Sequence, residues 1–250
     1  MVHGFSLACP PSMTDLTITA LMDGELTLKG QFVWGSNYTF LVEVAYNEAT
    51  LTAVYKPRKG ERPLWDFPAA TLAHREVAAY LVSEALGWGF VPPTVYRRRG
   101  PLGPGSLQLF VEHDPEIHFF TMTPEDRQRL RPVALFDLLI NNADRKGGHV
   151  LRGVEGHLWL IDHGICFHVE EKLRTVIWDF AGEPIPAHLL VDLEAFRQKL
   201  GPASELNVAL DAHLKRGEIA ALAKRTEYFL STRAFPDPPE DRRPYPWPPV

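Results

Sequence analysis

An α+β fold of two lobes is predicted, with an antiparallel β-sheet and one packed helix in the first lobe and a mainly helical second lobe. Three observations predict it. Three β-rich runs crowd the segment from Leu26 to Lys56, helical spacing takes over from Ala69 to Leu86, and beyond Pro124 helical spacing dominates around one short hairpin.

At 250 residues the chain can bury roughly 70 % of its unfolded surface, so its core needs neither a disulfide nor a structural metal. Hydrophobic content of 45 % and charged content of 23 % are those of an ordinary soluble protein. A net charge of −5 argues against a nucleic-acid scaffold, whose affinity would come from basic phosphate contacts, and gives no help in reaching an anionic membrane. Cys9 and Cys166 lie far apart in sequence and cannot build a cysteine-rich zinc site or a disulfide framework. With no signal-peptide pattern and no apolar run long enough to span a bilayer, a cytoplasmic location is expected.

Residues 1–15, broken by Pro10 and Pro11, are expected to form a loose arm. A first lobe over 16–112 then opens with the runs Leu26–Gly30, Tyr38–Ala45 and Leu51–Lys56, an antiparallel meander. Gly30-x-x-x-x-Gly35-Ser36 resembles the start of a Walker A loop. Ser36-Asn37 stands where that loop needs Lys-Ser or Lys-Thr, and strand rather than helix follows, which argues against a Walker ATPase. Gly35, Ser36 and Asn37 are left as either a plain hairpin turn or a cover over phosphates.

Alternation in the third run puts Leu51, Ala53 and Tyr55 on one face and Thr52, Val54 and Lys56 on the other. A lysine on an apolar strand face either snorkels to water or meets an anion. In the helix from Ala69 to Leu86, stopped by Gly87, Glu76 edges the apolar stripe and Glu84 is its rival as a partner for a lysine on the facing sheet. Val91–Tyr96 and Ser106–Glu112 read as two further strands, joined by a Gly/Pro-rich loop.

A second lobe over 113–232 starts with one helix from Pro124 to Ile140, with Asp137 on or near its buried face. It delivers Asp144 in Ala143-Asp-Arg-Lys-Gly-Gly-His-Val150, and a hairpin returns the chain to Asp162 in Leu160-Ile-Asp-His-Gly-Ile165. Phosphoryl transfer asks for two carboxylates so placed, one facing the acceptor hydroxyl and one facing a divalent metal. Helices are expected over Pro186–Leu200 and Glu205–Leu230. The Pro-rich tail, 233–250, either binds a partner domain or is a disordered or surface-hugging extension.

The order of strand, glycine turn, strand, strand-Lys, helix-Glu, strands, helix, Asp-Arg loop and strand-Asp-x-Gly is the part list of a bilobal protein-kinase-like fold. The sequence resembles the phosphatidylinositol 3-/4-kinase superfamily, above all the type II phosphatidylinositol 4-kinases and an uncharacterised bacterial family of short relatives. Gly105-Ser-Leu-Gln-Leu-Phe-Val-Glu112 is similar to their hinge strand, Asn142–His149 to their catalytic loop and Leu160–Phe167 to their metal-binding strand. The resemblance implies ATP and Mg²⁺ or Mn²⁺ as cofactors. It implies that Lys56 contacts phosphates and pairs with Glu76, and that backbone around Leu109, Phe110 and Val111 holds adenine. Gly35, Ser36 and Asn37 would cover the phosphates, Asp144 would orient the acceptor, and Asp162 would bind metal.

Two departures stand out. His149 replaces a metal-binding Asn, and imidazole suits softer metals than Mg²⁺. It either ligates, in which case activity fades as pH drops through about 6.5, or hydrogen-bonds the loop without ligating. The span Pro57–Arg75 also lacks the cysteine cluster that anchors type II lipid kinases. The expected function is therefore transfer of a γ-phosphate to a protein, small-molecule or, less readily, lipid hydroxyl. A nucleotide-binding regulatory module and a nucleotidyl transferase remain as alternatives.

Overall fold

The structure, a computed structural model, describes residues 13–32, 37–153 and 156–250. A helix, α1 (Met13–Asp23), precedes the sheet, where a loose arm through residue 15 was expected. It forms because Leu21 is driven into the core of the first lobe, and Arg97 Nη1 pins its end by donating to the carbonyls of Leu21 (2.9 Å) and Gly24 (3.0 Å).

Strands β1 (Glu25–Phe32), β2 (Thr39–Tyr46), β3 (Ala49–Pro57), β4 (Thr94–Arg97) and β5 (Gly105–Leu109) make one five-stranded antiparallel sheet in the order β1-β2-β3-β5-β4. The alternation along β3 is as expected: Ala53 and Tyr55 are fully buried in the sheet's own core with Val42, Val44 and Leu107, and Val54 and Lys56 face the other way. The last two strands are shorter than expected. Pro92 and Pro93 cannot donate to a ladder, so β4 starts at Thr94, and β5 leaves the sheet after Leu109.

Helix α2 (Leu72–Leu86) packs on the sheet and ends at Gly87, which adopts φ 74° and donates its N–H back to Glu84 and Ser83. The helix joins the lobes. Its Ala78, Ala79, Val82 and Leu86 belong to the large core that also holds Phe136, Leu139 and Ile140 of the second lobe.

The second lobe is helical as expected, but two of its helices are broken. The span 124–140 divides into α3 (Pro124–Gln128) and α4 (Arg131–Ile140), because Pro132 lacks an N–H to continue the first and starts the second. The hairpin follows as β6 (Val150–Arg152) and β7 (Leu158–Leu160), then α5 (Ala187–Lys199). The span 205–230 divides into α6 (Glu205–Asp211) and α7 (Arg216–Thr232). Here Glu218 turns back to accept the Lys215 N–H at 2.8 Å, capping a new helix.

The tail runs extended across the second lobe. Phe235 is buried against Phe180, the Pro244 carbonyl accepts from Thr175 N (3.0 Å) and Trp178 Nε1 (3.3 Å), and the Pro249 carbonyl accepts from Gly147 N (2.8 Å).

Candidate active site

Lys56, Glu76, Asp144, His149 and Asp162, which come from β3, α2, the loop after α4 and the segment after β7, converge on one cavity of about 530 Å³. That volume suits a small-molecule ligand. Lys56 Nζ bridges the carboxylates of Glu76 and Asp162, with Asp162 Oδ1 at 3.0 Å. Glu76 is 2 % exposed and takes the partner role that Glu84, on the exposed face of α2, does not. The second Glu76 oxygen accepts the His163 backbone N–H at 3.0 Å.

Asp162 has φ 61°, a left-handed conformation that costs a non-glycine residue on the order of 1 kcal/mol. Both flanking peptides are tethered: the Ile161 carbonyl accepts from Arg145 Nη1 (3.0 Å), and the His163 N–H is held by Glu76. Gly164 lets the strand end lie against α2, since a Cβ there would stand 3.3 Å from Leu72 Cβ. The Asp162 side chain keeps 48 % of its surface open, facing the cavity.

Electrostatics separates the two carboxylates. The Lys56 ammonium beside Asp162 outweighs burial and holds its carboxyl well below the usual carboxylate range. Burial would lower Lys56, but Asp162 and Glu76 outweigh it and hold the ammonium above its usual range. Asp144 lacks such a close partner, with Lys146 Nζ at 3.8 Å, and burial pushes it up to about 6.

His149 lies beside Asp162, its Nε2 3.4 Å from Asp162 Oδ2. Its Nδ1 faces the Lys146 backbone N–H at 3.4 Å, which is a donor only, so the proton is assigned to Nε2, toward Asp162. Burial holds this imidazole neutral down to about 4, so the limb near 6.5 expected from an ordinary histidine is displaced. Among the described residues no group of three His, Cys, Asp or Glu side chains could hold a metal ion. Asp162 supplies one hard oxygen donor. His149 adjoins it as a nitrogen donor only if its proton moves to Nδ1.

The segment expected to act as the hinge is only partly available. Leu109 N–H is spent on the Pro93 carbonyl (2.8 Å) and Phe110 N–H on that of Thr52 (3.0 Å). Val111 N–H makes no hydrogen bond among the described residues, and all three residues line the cavity. Asn37 also lines it, its Oδ1 accepting the Arg62 N–H at 2.8 Å. Gly35 and Ser36 lie outside the described residues.

Behind the loop stands a polar network that sequence reading missed. Arg145 and Asp137 are both fully buried and paired, with Nη2 to Oδ1 at 2.9 Å. Arg145 also donates to the His149 carbonyl (3.3 Å) and to His163 Nε2 (2.9 Å), and Asn142 Nδ2 donates to Asp137 Oδ1 (3.0 Å). One residue before Glu76, buried Arg75 reaches the Cys166 carbonyl and Glu218 of α7. The signal available was charge on apolar helical faces.

This fold and this arrangement define an α+β bilobal protein of the kinase-like class. The chain belongs to the family of Protein Rv2133c of Mycobacterium tuberculosis, to which it is 42 % identical over 91 % of this chain and 93 % of that protein. It is also a distant homologue of phosphatidylinositol 4-kinase gamma 4 of Oryza sativa subsp. japonica, 33 % identical over 45 % of this chain, and it spans only 24 % of that protein. No family model matches. Among solved structures, hydra Fam20 with sugar has a TM-score of 0.56 at 13 % identity, covering 88 % of each chain. The Golgi casein kinase with Mn/ADP bound has a TM-score of 0.53 at 16 % identity, covering 88 % of this chain and 75 % of that one. At such identity the likeness is one of fold.

Proposed function

We propose that the chain is an ATP-dependent phosphotransferase, with residues 16–112 and 113–232 as the lobes that wall its nucleotide cleft. The observation that carries this is Lys56 bridging Glu76 and Asp162 on the wall of the cavity, with Asp144 on the same wall. A cation held above its usual range is suited to nucleotide phosphates, and Glu76 fixes where it stands. Leu109 and Phe110 contact the base by side chains and carbonyls, and Val111 supplies an N–H. Asn37 covers the phosphates.

Asp144 accepts the proton of the acceptor hydroxyl as its oxygen bonds to the γ-phosphorus, while the bond from that phosphorus to the β,γ-bridging oxygen breaks and ADP leaves. When bound, a divalent ion neutralises charge on the phosphoryl oxygens. Asp162 would hold it, and the one hard oxygen fits Mg²⁺ or Mn²⁺ that takes its other ligands from phosphate and water. His149 would join only with the softer Mn²⁺. The acceptor is a hydroxyl of a protein, a small molecule or a lipid. Any partner that binds the Pro-rich tail must compete with the contacts of Pro244 and Pro249. Among the described residues no helix is long and apolar enough to cross a membrane, and we retain the cytoplasm as the site of action.

Incubation with ATP and Mn²⁺ or Mg²⁺, followed by separation of the nucleotide products, tests the reading. ADP is expected. Pyrophosphate would instead indicate nucleotidyl transfer, and unchanged ATP a regulatory module. Asp144 must be ionised to take a proton, so the rate should climb as pH rises through about 6 and level off roughly one unit higher. A profile flat from about pH 5 to about pH 8 would remove Asp144 from the role of base.

A further inference from the structure

We infer that Gln108 selects the nucleobase, admitting a purine with an exocyclic 6-amino group and rejecting a 6-oxo purine. The inference rests on the phosphotransferase reading and deepens it. Gln108 pairs with Val54 across β3 and β5, is 6 % exposed, and lines the cavity beside Leu109, Phe110 and Val111.

A chain of hydrogen bonds fixes which way its amide points. The hydroxyl of Thr94 has one proton and donates it to the Pro92 carbonyl at 2.7 Å. Toward Gln108 that hydroxyl can therefore only accept, and Gln108 Nε2 donates to it at 2.9 Å. The amide oxygen must then point away from Thr94. Gln108 Oε1 accepts from no described group and is not among the polar atoms sealed without a partner, so it opens onto the cavity.

The wall thus presents an acceptor, Gln108 Oε1, and a donor, the Val111 N–H, which is unpaired among the described residues. A 6-aminopurine offers the matching pair, an exocyclic N–H beside a ring-nitrogen acceptor. A 6-oxopurine offers the reverse: its ring N–H would meet the Val111 N–H, donor against donor, and its oxygen would face Oε1, a clash that the second Nε2 proton of Gln108 answers only in part. Reversing the amide would not rescue it. Oε1 would then need the Thr94 proton, and the buried Pro92 carbonyl would lose its donor.

Titration calorimetry of the full chain with ADP and GDP in Mn²⁺ tests this. The wild type should bind ADP tighter than GDP by on the order of 10–100-fold. Gln108→Leu should bring the two affinities within about threefold, because it removes the acceptor without changing volume much. Thr94→Val, at a residue outside the cavity lining, frees the amide to reverse and should narrow the ratio in the same way. Melting temperatures without nucleotide check that both variants fold. Full discrimination in both folded variants, or none in the wild type, would overturn the role of Gln108 and leave the phosphotransferase reading standing. Failure of the wild type to bind either nucleotide would overturn both.

Discussion

Asp144→Asn should lower the rate of phosphoryl transfer by about 10²–10⁴-fold while nucleotide binding survives. The substitution keeps size and removes only the ability to take a proton. Its fold should tolerate the change, since burial already raises Asp144 to about 6 and its nearest cation, Lys146, stands 3.8 Å away. The loop conformation depends instead on the backbone: Asp144 N–H donates to Asn142 Oδ1 at 3.0 Å. Initial rates of ADP formation, measured well above pH 6, are the readout. A loss below about tenfold would show that Asp144 is not the base.

Asp137→Ala should cost about 3–5 kcal/mol of folding stability, read as a lower denaturation midpoint, because it leaves the fully buried Arg145 guanidinium without its counter-charge. The double variant Asp137→Leu with Arg145→Met should recover much of that stability, since apolar groups of similar volume often replace a buried ion pair at little cost. It should not recover activity. Arg145 also holds the carbonyls of His149 and Ile161, and so ties the Asp144 loop to the strand end that carries Asp162. An active double variant, or a single variant of wild-type stability, would contradict this positioning role.

Much of the site was legible because it rests on local rules. Strand alternation placed Lys56 on the face opposite Ala53 and Tyr55. Helical spacing put Glu76 at the edge of a buried stripe, and a short hairpin brought Asp162 back toward Asp144. What sequence missed depends on partners brought together by the fold. Arg75 and Glu218 pair across 143 residues, and no local pattern encodes that meeting. Asp137 among apolar neighbours on α4 was a visible anomaly, but its partner is named only once the loop folds back. The broken helices have the same origin. Pro132 is a local signal for one break, and the other depends on Glu218, which caps α7 while facing Arg75. Sequence pointed to Leu109–Val111, which lines the cavity, but could not show that Leu109 and Phe110 had already committed their N–H groups.

The most direct test of the proposed nucleotide site is the melting temperature of wild type, Lys56→Met and Asp162→Ala with and without ATP and Mn²⁺. A ligand that binds the folded state alone stabilises that state by RT ln(1 + [L]/Kd), about 2.7 kcal/mol at 100 times Kd, and the melting temperature rises with it. The expected result is a clear rise for the wild type and little or none for either variant, because Lys56 and Asp162 stand together on the cavity wall. Equal rises in all three proteins, or none in the wild type, would contradict it.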